Sequence, residues 1–297
     1  MVHPPAADAR VPAPLIFVAS GLSLYVGAAL AIGLFAVIPA AGVGWLRLVV
    51  AAVLLLAWRR PWRLRWSRRD LGVVLLFGTT LAAMNVTFYI AIDHLPLGTA
   101  VAIEFLGPVL VGAVTGVGWR ERTGIVLAAC GVVLLAGVTV SVGGPGAAIG
   151  LLAAGAAAAC WAGYILLGRR VALTGDGVTR LSVAMCAGAL VFAPLLVRSS
   201  APVLASWWLV AAVVGVAVLS SVVPYALEQV VLRRVSAAGF AVLLAMLPAI
   251  AAVVGAVVLR QLPDPLEVLG LLLVSAAIAL TSVRRAPVPA RGAPEPR

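Results

Sequence analysis

Lysine does not occur in this 297-residue sequence; all 21 basic side chains are arginines. Charge of either sign is scarce, with Asp, Glu, Lys and Arg at 10% of the chain against 64% hydrophobic residues. A soluble domain carries about a quarter charged residues, so a soluble globular fold is excluded and the chain reads as an integral membrane protein. Histidine occurs twice, at His3 in a tail and His94 in a loop, and neither H-E-x-x-H nor G-x-x-x-x-G-K-[ST] is present. Metalloprotease and P-loop chemistry are thereby removed. Cys130, Cys160 and Cys186 all fall inside apolar segments, which indicates neither a disulfide framework nor a metal cluster. The expectation is a protein that is not an enzyme and needs no cofactor. The N-terminal stretch is polar and Pro-rich and lacks the pattern of a cleaved signal peptide, so the first helix is expected to remain.

What the sequence does have is long apolar runs. Ten stretches approach the length of about 20 mostly apolar residues that crosses a bilayer: 14–37, 41–58, 71–92, 96–118, 123–141, 147–168, 179–197, 207–231, 237–259 and 265–283. The fold class expected is all-α integral membrane, with ten transmembrane helices joined by short loops. The net charge of +11 is a loop signature and not a nucleic-acid footprint. Six arginines crowd between Arg59 and Arg69, and most of the others sit in the tails or after the fourth, sixth and eighth segments. The remaining loops hold only Arg198 and Arg260. Both termini, 1–13 and 284–297, are therefore expected in the cytoplasm, the C-terminal tail as a disordered segment.

The chain also looks duplicated. Pro108 and Pro248 occupy corresponding places in the fourth and ninth segments, and Arg120 and Arg260 follow them at the same offset. Five helices per half is an odd number, so repeats over 14–141 and 147–283 would insert with opposite topology. Inverted repeats place a substrate site near the bilayer midplane, between the halves.

Few polar residues interrupt the apolar runs. Glu104 sits inside the fourth segment, four residues before Pro108. Proline has no N–H and crowds the carbonyl four residues back. An acid and a freed carbonyl should thus coincide at one kinked turn. At about 1.5 Å per residue, Arg47, Asn85 and Glu104 fall at one depth, roughly 9–12 Å below the outer boundary. Intramembrane charges are costly and point to function. The alternative is a buried Arg47–Glu104 pair that only locks helices together. Glu228 follows Pro224, which should free the carbonyl of Ser220 in the same way. Its alternative is an interfacial charge near Arg233 and Arg234. Trp45, Trp58, Trp62, Trp66, Trp119, Trp207 and Trp208 fit an interfacial belt. Trp161 lies deep in the sixth segment and, with Tyr164 and Tyr225, could wall a cavity or simply pack.

The stretches W-L-R-L at Trp45–Leu48, M-N-V-T-F-Y at Met84–Tyr89, P-L-G-T-A-V-A-I-E-F-L-G-P at Pro96–Pro108, A-C-W-A-G-Y-I-L at Ala159–Leu166 and L-S-S-V-V-P-Y-A-L-E at Leu219–Glu228 resemble the EamA-domain branch of the drug/metabolite transporter superfamily. Within it they look most like the inner-membrane threonine/homoserine exporters, and the resemblance covers nearly the whole chain. It implies a multi-pass transporter of a prokaryotic cell membrane, exporting small amino acids or related metabolites against protons. The partners implied are a small solute, protons and the lipid bilayer, with no nucleic acid. Glu104 would carry the proton or a substrate ammonium. Arg47, Asn85, Tyr89, Trp161, Tyr164, Tyr225 and Glu228 are the candidate substrate contacts, and Pro108, Pro224 and Pro248 the candidate hinges. Two positions depart from the exporter pattern: Leu247 stands where an acid precedes the ninth-helix proline, and Arg260-Gln261 replaces a G-E pair. Other cargoes, such as a nucleobase, sugar phosphate or amphipathic drug, stay open, and a membrane-embedded enzyme or lipid-handling protein is the rival from another class.

Overall fold

The structure is a computed structural model that describes residues 11–59, 61, 67–115, 118–142, 146–172, 177–232, 234–235, 240 and 243–282. Among the described residues there are twelve α-helices and no strand. In chain order these are α1 (Ala13–Leu34), α2 (Ala40–Arg59), α3 (Arg68–His94), α4 (Leu97–Glu104), α5 (Leu106–Thr115), α6 (Trp119–Val142), α7 (Ala147–Ala172), α8 (Gly177–Ser200), α9 (Trp207–Ala217), α10 (Val223–Leu232), α11 (Leu247–Val258) and α12 (Pro265–Ser282). Six stretches are long and apolar enough to cross a membrane: Ala13–Leu34, Ala40–Trp58, Asp70–His94, Arg122–Val140, Ala147–Leu167 and Thr179–Ala205. Four shorter apolar ones follow the pattern at Leu97–Gly112, Trp207–Val222, Leu247–Val258 and Pro265–Thr281.

The shorter four include the places where the sequence suggested continuous, proline-kinked helices. The fourth segment bends at this point: α4 ends at Glu104 and α5 starts at Leu106, while Phe105 between them keeps helical φ and ψ, donates to Val101 O and accepts the Val109 N–H. Pro108 lies in the first turn of α5, and the bond it cannot give the Glu104 carbonyl is the one missing at the kink. Pro248 is likewise the second residue of α11, after a turn at Ala245–Met246. The eighth segment opens differently. Between α9 and α10 the chain makes a π-helical turn over Val218–Val222, and the N–H of Val223 reaches back to the carbonyl of Val218. Pro224 cannot donate to Ser220, so the wider turn accommodates the missing bond.

Packing pairs helices that are distant in sequence. α3 lies against α7, α8 and α2; α1 against α10, the π-turn and α11; α4 against α11 and α7; α6 against α12. Small residues permit the closest approaches. A Cβ at Gly78 would overlap the carbonyl of Ala184, and one at Gly188 would overlap the carbonyl of Gly78. The α3–α8 crossing is therefore backbone on backbone. Its cytoplasm-facing end, in the orientation expected above, is fastened by Asp70, which accepts from Arg180 Nη1 at 3.1 Å while the Ser67 hydroxyl caps α3. Side chains such as Val133, Leu152 and Leu195 point outward, giving an apolar exterior of the kind lipid requires. Trp58, Trp119, Trp207 and Trp208 are exposed, as the interfacial reading expects. Trp45 corrects it: the ring is buried and its indole N–H donates to the carbonyl of Ala189 in α8 at 2.8 Å. Trp62 and Trp66 lie outside the described residues.

Candidate functional site

The π-turn exposes carbonyls that α9 and α10 cannot satisfy, and helices from the first half supply the donors. The Ser23 hydroxyl donates to Leu219 O at 2.9 Å. Arg47 donates through Nη2 to Ser220 O at 2.6 Å and through Nε to Ser221 Oγ at 3.1 Å. The Ser20 hydroxyl reaches Pro224 O at 3.3 Å, and Ser220 returns a bond from its own hydroxyl to Leu24 O at 3.1 Å. Gly27 makes room for this contact, since a Cβ there would overlap the Ser220 hydroxyl. The carbonyl that Pro224 was expected to free is thus the one that Arg47 holds. Buried backbone acceptors are rarely left unpaired, and here the pairing crosses most of the chain.

Glu104 is the last residue of α4, and its side chain is partly buried. Arg47 is close enough to interact with its charge. No ion pair within 4.0 Å joins the two among the described residues. The simple locking pair is therefore not formed; the guanidinium is spent on the π-turn. Its carbon also lies 5.7 Å from the centre of the Tyr89 ring, a cation–π contact. Tyr89 is fully buried, and its hydroxyl has no hydrogen-bond partner among the described residues. A buried hydroxyl without a bond, on a ring that faces a cation, is a place for a polar ligand atom.

Gly107 lets the start of α5 settle onto α7, where a Cβ would overlap the carbonyl of Ala158. This puts Phe105 edge-on against Trp161, with centroids 4.6 Å apart. Trp161 thereby walls the break beside Glu104. Tyr164 does not join it; its ring stacks on Phe77 at 4.8 Å in the α3–α7–α8 packing. Asn85 is nearby in α3, but its amide donates to Leu81 O of its own helix at 2.9 Å. Glu228 lies within reach of the Ser20 hydroxyl. Arg234 is engaged elsewhere, donating to Val11 O at 3.0 Å, so it does not neutralise Glu228. The side chain of Tyr225, and Arg233, lie outside the described residues.

The sequence reading missed Tyr25. It is 4% exposed in α1 and interacts electrostatically with both Glu104 and Glu228. Ser20, Ser23 and Gly27 share one helical face at i, i+3 and i+7, which marks the contact with the π-turn but leaves Tyr25 off it.

Residues 148–283 match the model of the EamA-like transporter family. The chain is 35% identical over 260 residues to the threonine/homoserine exporter RhtA of Escherichia coli strain K12, covering 86% of each. It is 35% identical over 278 residues to the protein of that name from Salmonella typhimurium strain LT2, covering 92% of each. The chain belongs to the EamA-like transporter family. A solved crystal structure superposes with a TM-score of 0.58 at 20% identity, over 90% of this chain and 95% of that one, and supports the fold. Membership in the EamA-like family agrees with the all-helical, membrane-embedded architecture and points to a transporter of small metabolites. Both departures noted in the sequence now have structural contexts. Leu247 packs on α1, with its Cδ2 3.0 Å from where a Gly21 Cβ would lie. The Gln261 side chain accepts the N–H of Leu97 at 2.9 Å, capping α4.

Proposed function

We propose that this protein is a proton-coupled exporter of small amino acids or closely related metabolites, resident in the prokaryotic cell membrane. It spans the membrane ten times, as two inverted five-helix repeats, with both termini cytoplasmic. The packing supports the repeat. If the first half exchanges with the second, α3–α7 corresponds to the contact of α1 with α10 and the π-turn, α4–α7 to α1–α11, while α2–α8, α4–α11 and α6–α12 map onto themselves.

The observation that carries the mechanism is the charge inventory around the two helix breaks. Among the described residues, Arg47 supplies one positive charge, already shared with the Ser220 carbonyl, opposite Glu104, and Glu228 lies at the second break. Counted over the described residues, this group is short of one cation, and buried charge persists only when balanced. A proton or a substrate ammonium supplies the balance equally well, and one carboxylate cannot hold both. Exclusive occupancy of Glu104 by either is the physical basis of exchange. A substrate carboxylate would find Arg47 and the unbonded Tyr89 hydroxyl, with Trp161 closing the wall. A sugar phosphate would need more cationic side chains than the single Arg47.

The test is transport in proteoliposomes under an imposed pH gradient, with threonine and homoserine as first cargoes. Glu104→Gln should abolish gradient-driven uptake while leaving the protein folded. Unchanged gradient-driven transport in that variant would remove the proton role.

A further inference from the structure

The eight-residue helix α4 joins two sites: Glu104 ends it, and its N-terminus lies at the other face. Pro96 precedes the helix and has no side chain with which to cap it. The cap comes instead from Gln261, in the connection between α11 and α12, whose Oε1 takes the Leu97 N–H. That connection is fixed in its own right. Arg260 has a φ of 58° and ends α11 in the left-handed region, and the Gln261 N–H returns to Gly255 O at 3.0 Å. A second tie lies one turn along, where the Thr99 hydroxyl donates to Glu267 Oε1 at 3.4 Å; Glu267 Oε2 accepts the N–H of Asp264 at the start of α12. Gly98 brings the backbones together, since a Cβ there would be 2.9 Å from that of Ala252 in α11. Beneath these ties is a cavity of about 160 Å³, lined in part by Thr99, Ala252, Gln261, Glu267 and Leu271.

We propose that Gln261 is a positioning residue for α4: its cap holds the outer end of the helix against the second half, and the bond must break for the half-open cavity beside it to widen. A neutral amide at 261 adds no titration of its own beside the Glu267 tie, whereas a carboxylate there would add one. The charged groups around the latch are Glu267 and Asp264 at the start of α12, Arg260 beside it, and Asp93 and His94 at the end of α3; α11 has none, and α4 has only Glu104 at its far end. The inference rests on the orientation proposed above, and its test needs no cargo.

In a background of Cys130→Ala, Cys160→Ala and Cys186→Ala, Leu271→Cys reports access to the cavity. The readout is its labelling by a membrane-impermeant maleimide on intact cells. Gln261→Ala should speed labelling about fivefold, the effect of losing a helix cap. Gln261→Glu keeps the cap, adds charge at a helix N-terminus, and should slow labelling at pH 8. The ratio of its rate to that of Gln261 should then rise toward one as the pH falls to 5. A Gln261→Ala rate equal to that of Gln261, or a Gln261→Glu ratio that is flat with pH, would overturn the proposal. Absence of labelling from outside in every variant, with labelling from the cytoplasmic face, would refute the orientation instead.

Discussion

Arg47 performs two tasks that mutation can separate. Its guanidinium satisfies the Ser220 carbonyl at 2.6 Å, and its charge faces Glu104. In Arg47→Gln the carbonyl loses a charged donor, a bond worth about 1.5–3 kcal/mol, and the weaker contact to Ser221 goes with it. The expected destabilisation is about 2–4 kcal/mol, since the neighbouring lipid or protein offers no replacement donor. Pro224→Ala gives the chain back an N–H four residues after Ser220. In that background the orphaned carbonyl has a backbone donor, and Arg47→Gln should cost at least about 1 kcal/mol less. Unfolding of the four proteins in mild detergent closes a double-mutant cycle and measures the coupling directly. Transport should not follow stability: the double variant regains fold but still lacks the cation opposite Glu104, so exchange stays low. Equal losses from Arg47→Gln in both backgrounds would show that Arg47 is not the donor that Pro224 makes necessary. Full transport by the double variant would show that its charge is dispensable.

Gly78→Leu forces a side chain into the Ala184 carbonyl and should prevent the α3–α8 crossing, read as loss of a monodisperse peak on size exclusion; Gly33→Leu, where nothing lies near the added carbon, should be tolerated. Pro248→Ala restores an N–H only in a first turn, so it should change stability by less than about 1 kcal/mol. Pro108→Ala gives back the N–H missing at the kink and should slow exchange more than it weakens substrate binding if the kink at Phe105 is where α4 moves, and wild-type exchange rates would reduce the proline to packing.

The apolar helices were legible because apolar length dominates everything else in such a sequence. The breaks were legible only as proline positions. A proline says which N–H is missing, not whether the chain kinks, stops or widens around it. Three outcomes resulted: a kink at Phe105, a short turn before Leu247 and a π-turn before Pro224. Arg47 and Glu104 were legible as partners because rise per residue is nearly constant, and the Arg47 charge does reach Glu104. Depth gives no azimuth, however, so the capture of Arg47 by Ser220 and the turning of Asn85 onto Leu81 could not be read. Tyr25 was overlooked for a related reason: one aromatic in an apolar helix is unremarkable until its neighbours are known. Trp45 was misplaced because tryptophan near a helix end usually marks the interface, and a specific acceptor, Ala189 O, outweighed that tendency.

The donors at the π-turn also bear on biogenesis. Ser20, Ser23 and Arg47 are synthesised early, and the carbonyls they satisfy arrive nearly two hundred residues later. Until then these acceptors lack the donors that the finished fold gives them. The second half, which matches the family model over residues 148–283, takes these donors from the first. A gene split between the repeats should yield a working transporter only when both fragments are made in the same cell.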